Sequence, residues 1–108
     1  MRLPVNLQTG EEKRNAPRFP WVAEIAAFIC SEFGVSAHAP LALQGFTIDI
    51  GKDGIGISSE RQLQPGVVLR CEICIPDTAV RIPTLLRVRW SREGIANQQY
   101  RLGLQFLI

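Results

Sequence analysis

The chain has 108 residues, of which 46% are hydrophobic and 20% are charged, and its formal net charge is +2. This length suits one domain with a single core, and the apolar content excludes wholesale disorder. The longest apolar run, residues 21–30, is interrupted by Glu24 and falls short of the roughly 18 residues that a membrane span needs. The first six residues lack the apolar stretch of a signal peptide, so we expect a cytoplasmic protein without membrane insertion.

The first 20 residues are polar and rich in proline, which predicts an extended N-terminal arm. Within it, the run Lys13-Arg14-Asn15-Ala16-Pro17-Arg18 places two arginines four residues apart. Because a proline disfavours helix at the residue before it, these side chains are expected on extended backbone that could wrap around a ligand. The simpler interpretation is a solvated basic arm.

The segment 21–33 fits two patterns. Its alternate positions are apolar, as in a strand, but one helical face is also apolar, and its alanine and glutamate content favours helix. We predict a strand, because the rest of the chain is β and its strand edges need a partner. A connection over residues 31–45, which contains His38, follows.

A hairpin is predicted next. Phe46, Ile48 and Ile50 alternate with Thr47 and Asp49, which indicates a strand with one apolar face. The following Lys52-Asp53-Gly54 predicts a type I′ turn, whose two central residues need positive φ. Ile55 and Ile57 then continue as the returning strand.

Three segments of the second half also alternate between apolar and polar residues. Their apolar positions are Val67, Leu69, Cys71, Ile73 and Ile75, then Ile82, Leu86, Val88 and Trp90, then Tyr100, Leu102, Leu104, Phe106 and Ile108. One face of each segment is polar and suited to solvent, which predicts antiparallel strands. Turn residues separate the three segments. Short strands at this spacing indicate a small all-β sandwich or a closed barrel.

The sequence offers little for catalysis or metal binding. Three cysteines and one histidine count against a disulfide scaffold and a zinc site. Cys71 and Cys74 match C-x-x-C, but residues three apart in a strand point to opposite faces, so their sulfurs are not expected to meet. No nucleophile stands near His38 and no paired carboxylates share one element. We therefore expect no catalytic residues, no metal site and no enzyme activity.

Two short motifs remain: Arg14-x-x-x-Arg18 in the arm, and Asp49-Ile50-Gly51-Lys52-Asp53-Gly54 at a strand end. In this order they resemble the signature of the PilZ domain, Arg-x-x-x-Arg and then (Asp/Asn)-x-Ser-x-x-Gly after a strand. The resemblance runs from about Lys13 to the C-terminus and includes Leu86–Trp90 and Tyr100–Phe106. PilZ domains are bacterial receptors for the second messenger cyclic di-GMP. The resemblance implies a six-stranded antiparallel β-barrel over residues 21–108, preceded by the arm of residues 1–20.

By this resemblance the ligand is cyclic di-GMP, with no cofactor beside it, and the binding residues are Lys13, Arg14, Arg18, Asp49, Gly51 and Gly54. The arginines would donate to guanine or phosphate oxygens, and the aspartate would accept from the Watson–Crick edge of guanine. The arm would close over the nucleotide and alter what it presents to a protein partner. Gly51 stands where the family has serine. The lost hydrogen bond, worth about 0.5–1.5 kcal/mol, predicts several-fold weaker binding.

Two alternatives stay open. The missing serine also motivates a degenerate PilZ domain that binds no nucleotide and acts as a protein-interaction module in motility or pilus control. The other alternative is a small β-barrel that binds single-stranded nucleic acid. Its basic surface would be formed by Arg70, Arg81, Arg87, Arg89 and Arg101. Such surfaces interleave aromatic residues, which are only 7% of this chain, so no nucleic-acid polymer is expected as a partner.

Overall fold

The computed structural model describes residues 17–30, 41–94 and 99–107, and seven strands make up its regular structure. They are β1 Arg18–Pro20, β2 Glu24–Ile29, β3 Leu41–Gly51, β4 Gly54–Ser59, β5 Val68–Cys74, β6 Arg81–Glu93 and β7 Tyr100–Phe106. The described part of the chain holds no helix long and apolar enough to cross a membrane.

Six of the strands close into an antiparallel barrel. Their order is β3-β2-β5-β6-β7-β4, and β4 pairs back onto β3. The strand β1 is additional and pairs with the end of β3 that lies beyond β2. The predicted all-β fold with a six-stranded antiparallel barrel is therefore confirmed. The last three residues of the predicted arm form β1, whereas Lys13 and Arg14 lie outside the described residues.

The strand prediction for the ambiguous segment is confirmed over Glu24–Ile29. This strand, β2, pairs with β3 on one side and with β5 on the other. Its alternate side chains, beginning with Ala23 just before it, are buried inside the barrel. The small alanine side chains fit the narrow interior, which explains why helix-favouring residues occur here in a strand.

The barrel interior is filled by short aliphatic side chains from all six barrel strands. The buried hydrophobic residues are Ala23, Ile25, Ala27, Ala42, Leu43, Ile55, Ile57, Leu63, Leu69, Cys71, Ile73, Leu86, Val88, Leu102 and Leu104. They follow the alternation of the sequence in β4, β5 and β7. The interior is thus a packed core, and any ligand site must lie on the outer face.

The predicted apolar face of β3 is wrong at its centre. Thr47 points into the core with 1% of its surface exposed, whereas Phe46 faces solvent with 53% exposed. The Thr47 hydroxyl donates to the carbonyl oxygen of Trp21 at 2.6 Å and accepts from the amide of Ala23 at 2.8 Å. These two bonds satisfy the hydroxyl and two backbone groups, which offsets the burial of a polar side chain.

The hairpin between β3 and β4 is confirmed, but its type I′ turn is wrong. Among the described residues only Asp77 and Gly66 have positive φ, so the turn at Lys52 and Asp53 uses ordinary backbone conformations. The glycine that follows has a different role. A Cβ at Gly54 would overlap the carbonyl oxygen of Leu104, so glycine here allows β4 to pack closely against β7.

The two cysteines of the C-x-x-C sequence point to opposite faces of β5, as predicted. Cys71 is buried in the core and Cys74 is half-buried on the outside. Burial raises the pKa of the Cys71 thiol to about 12, with a smaller contribution from nearby Cys30. This thiol is therefore protonated and unreactive in the folded protein at neutral pH.

Candidate functional site

An irregularity in β3 turns an acidic side chain to the outside of the barrel. The register between β3 and β4 shifts between Thr47 and Asp49, so Ile48 is an extra residue in β3. One extra residue reverses the face of the side chains that follow. Asp49 consequently lies opposite Gly56 on the outer face, although it follows the inward Thr47 by two positions.

A second irregularity does the same for an aromatic side chain in β6. The register between β6 and β7 shifts between Val88 and Trp90, which makes Arg89 the extra residue. Trp90 therefore lies opposite Gly103 on the outside, with 41% of its surface exposed. The prediction that this tryptophan belongs to the buried apolar face is wrong, because alternation breaks at the bulge.

Two glycines join these side chains across the sheet. Gly56 on β4 and Gly103 on β7 are direct cross-strand neighbours, and we call them the glycine floor. A Cβ at Gly56 would lie 2.8 Å from Oδ1 of Asp49, and one at Gly103 would overlap the Trp90 indole. Glycine at both positions thus leaves room for the functional side chains to lie against the sheet.

On one side of the floor, Arg18 and Asp49 form what we call the β3 wall. The Arg18 Nη2 donates to Asp49 Oδ1 at 2.7 Å, and the amide of Gly56 donates to the same oxygen at 3.1 Å. The two side chains retain 24% and 34% of their exposure, respectively. The Arg18 Nε is buried and has no hydrogen-bond partner in the described structure. The pair thus holds an arginine fork and a carboxylate in fixed positions at the edge of the floor.

On the other side, Arg89, Trp90, Arg92 and Arg101 form the β6–β7 wall. The Arg92 guanidinium carbon stands 4.6 Å from the centroid of the Trp90 ring, within the range of a cation–π contact. The Arg89 Nη1 donates to the side-chain oxygen of Gln105 at 3.0 Å. This wall therefore combines an aromatic surface with three guanidinium groups.

Between the walls lies an open cleft of about 540 Å³. Four arginines line it, together with two aspartates, Asp49 and Asp53. Asp49 is already paired with Arg18, which leaves three arginines and Asp53. The net charge of the groups that line the cleft is therefore positive. Guanidinium forks, an indole and a flat floor suit a ligand that is both anionic and aromatic.

The predicted site residues differ in where they lie. Arg18, Asp49 and Gly54 line the cleft, so two motifs separated by 31 residues meet at one wall. Gly51 lies opposite Arg18 in the register of β1 and β3. Lys13 and Arg14 precede the described residues. Sequence reasoning missed Trp90 and Gly103 as site residues, because no pattern marks a bulge of one residue.

The described ranges contain no group of three His, Cys, Asp or Glu side chains placed to hold a metal ion. His38, for which no catalytic role is expected, lies outside those ranges. The polar groups of the cleft are the guanidinium donors of four arginines and the carboxylates of Asp49 and Asp53.

The structure is thus a small closed antiparallel barrel that carries an arginine–aspartate pair and a cationic cleft on its outer face. The PilZ domain family model matches residues 12–108, and the chain belongs to that family. No curated protein matches the sequence.

Solved structures of PilZ-containing proteins share the fold. The PilZ domain of YcgR from Escherichia coli, solved with c-di-GMP, superposes with a TM-score of 0.63 at 14% identity, covering 88% of this chain and 78% of that one. The inhibitor of motility MotI (DgrA) from Bacillus subtilis has a TM-score of 0.62 at 18% identity, covering 89% of this chain and 43% of the other.

The regulator MrkH, described as a c-di-GMP-dependent transcription regulatory factor, has a TM-score of 0.57 at 16% identity. The match covers 84% of this chain and 42% of MrkH. The chain thus corresponds to less than half of MotI and of MrkH. At these identities the likeness shows the fold.

Proposed function

We propose that this chain is a receptor module for cyclic di-GMP and that the nucleotide binds in the cleft between the two walls. The observation that carries the proposal is the 2.7 Å contact between Arg18 and Asp49, which joins the two family motifs at one edge of the cleft. Membership of the PilZ family supports it, as does the solved YcgR domain, which holds this nucleotide.

The chemistry of the β3 wall matches a guanine nucleotide. Among the described residues, both hydrogen bonds to Asp49 reach Oδ1, so Oδ2 is the oxygen offered to the N1–H and N2–H₂ donors of guanine. The Arg18 fork is held beside it and donates to phosphate or to the guanine O6 and N7 acceptors. Gly51 and Gly54 contribute space and strand packing in place of hydrogen bonds.

Lys13 and Arg14 complete this proposal from the arm. Arg14 precedes Arg18 by four residues and Lys13 precedes it by five, and in this proposal both side chains also bind the nucleotide. In the proposal the arm closes over the bound nucleotide, and this closure changes the surface offered to a protein partner. The chain then acts by binding and has no catalytic residues.

Isothermal titration calorimetry with cyclic di-GMP tests the function. We expect binding that falls by roughly 10- to 100-fold in Arg18→Ala and in Arg14→Ala, because each removes hydrogen bonds to a charged group. Arg81→Ala is the matched control, since Arg81 pairs with Glu72 away from the cleft. No heat at high micromolar nucleotide, or unchanged binding in Arg18→Ala, would contradict the proposal.

A second candidate is a PilZ domain that binds only proteins. Gly51 in place of serine favours it, and so does the exposed apolar side chain of Phe46 on the outer face. This candidate predicts no response to cyclic di-GMP and no effect of Arg14→Ala on partner binding. A tight complex that depends on Arg14 and Arg18 would eliminate it.

A further inference from the structure

Two arginines of the β6–β7 wall face each other, and no carboxylate of the described residues pairs with either. Arg92 on β6 and Arg101 on β7 are direct cross-strand partners and are both exposed. Like charges directly opposite each other destabilise a sheet. Neither guanidinium forms an ion pair within residues 17–30, 41–94 and 99–107. An anion bound between them would relieve this repulsion.

A third guanidinium extends the same surface. Arg89, the extra residue of the β6 bulge, donates to the neutral side chain of Gln105, so its charge also has no carboxylate partner in the described structure. All three arginines line the cleft that the Arg18–Asp49 pair borders. The cleft thus has a second cationic centre that neither family motif supplies.

The two centres are far apart. The strands β4 and β7 separate β3 from β6, and three strand spacings amount to about 14 Å. If Arg18 and Asp49 bind one base and one phosphate, that half of the ligand does not balance the positive charges of the opposite wall. A ligand with two phosphates and two bases presents a second anionic, aromatic half to that wall.

We propose that the β6–β7 wall is the second half-site for the cyclic dinucleotide, with Arg92 and Arg101 binding its second phosphate and Trp90 in contact with its second base. This inference rests on the proposed function. It makes the wall the feature that selects a dinucleotide over a single nucleotide, because a mononucleotide satisfies only the β3 wall.

The test compares cyclic di-GMP with 3′,5′-cyclic GMP, which has one base and one phosphodiester. Calorimetry measures the first, and saturation-transfer NMR measures the weaker second ligand. The variant is Arg92→Gln combined with Arg101→Gln. Arg87→Gln is the matched control, because Arg87 is exposed on the same strand but does not line the cleft.

We expect the wild-type protein to prefer cyclic di-GMP by at least about a hundredfold. In the double variant this preference should narrow by roughly tenfold or more, because binding of cyclic di-GMP weakens while binding of cyclic GMP is unchanged. The double variant should remain folded, because the relieved repulsion between the two arginines offsets the lost Arg92–Trp90 cation–π contact, and denaturant unfolding checks this. Arg87→Gln should bind both ligands like the wild type.

Either of two results would overturn the half-site. One is unchanged cyclic di-GMP binding in the double variant. The other is an equal loss for both nucleotides, which would show a general effect of charge. A wild-type protein that binds no cyclic di-GMP would instead remove the proposed function, so the two failures are distinguishable.

Discussion

At the scale of single residues, Gly51 sets the spacing between β1 and β3. A Cβ at this position would lie 3.0 Å from the carbonyl oxygen of Pro17 and 3.4 Å from Cδ of Arg18. The carbonyl belongs to the backbone and cannot rotate away, so a larger residue pushes the three-residue strand β1 outward. The glycine therefore serves the Arg18–Asp49 contact, although it lacks the hydroxyl of the family motif.

We expect Gly51→Ala to weaken cyclic di-GMP binding by a factor of about three to ten, because it lengthens a charged hydrogen bond of the β3 wall. Gly51→Ser should also bind more weakly than the wild type, since its hydroxyl offsets only part of the displacement. Calorimetry measures both, with Lys52→Ala in the exposed turn as the control. Tighter binding by Gly51→Ser would show that the missing hydroxyl outweighs strand spacing.

At the scale of elements, the contact between β6 and β7 depends on a glycine beneath an indole. Because a Cβ at Gly103 would overlap Trp90, we expect Gly103→Ala to lower the free energy of unfolding by about 1–3 kcal/mol. In a Trp90→Ala background the same change should have little effect, and denaturant unfolding of the four proteins measures this coupling. If Gly103→Ala lowered the free energy of unfolding equally with and without Trp90, the Trp90 indole would not be the group that the new Cβ contacts.

Most strands were predictable, but β1 lies in the predicted arm, the first five residues of β3 lie in the predicted connection, and the two bulges had no sequence signal. In β5 and at the centre of β7 every second residue is apolar and buried, so alternation alone identifies the face that forms the core. In β3 the inward Thr47 is polar and the outward Phe46 is apolar, and only the hydrogen bonds of Thr47 explain the exchange. Arg18 and Asp49 were found through their motifs, whereas Trp90 is hidden by a bulge that leaves no trace in composition.

At the scale of the whole molecule, the closed core affects stability at alkaline pH. The thiol of Cys71 ionises near its ordinary pKa of 9.0 in the unfolded chain but only near pH 12 in the folded barrel. The unfolded state therefore loses a proton first, and the folded state loses stability as pH rises from about 9 to 12, by up to about 1.4 kcal/mol per pH unit.

Unfolding by denaturant at a series of pH values from 8 to about 11 measures this dependence. We expect Cys71→Ala, which has no thiol in the core, to be less stable at pH 8 but to lose less stability as the pH rises. Cys74→Ala serves as the control, because its side chain lies on the outer face. Parallel curves for the wild type and Cys71→Ala would contradict the assignment.

The two bulges mark positions where the barrel can lose one residue and still keep the cleft side chains on its outer face. Deleting Ile48 or Arg89, a loss of one codon, would restore unbroken pleating in β3 or β6. Asp49 and Trp90 would still lie opposite Gly56 and Gly103 on the outer face, because each deletion removes only the unpaired residue and keeps the register. Among proteins with this barrel, single-residue length differences at these two points should therefore leave the aspartate and the tryptophan on the face that carries the cleft.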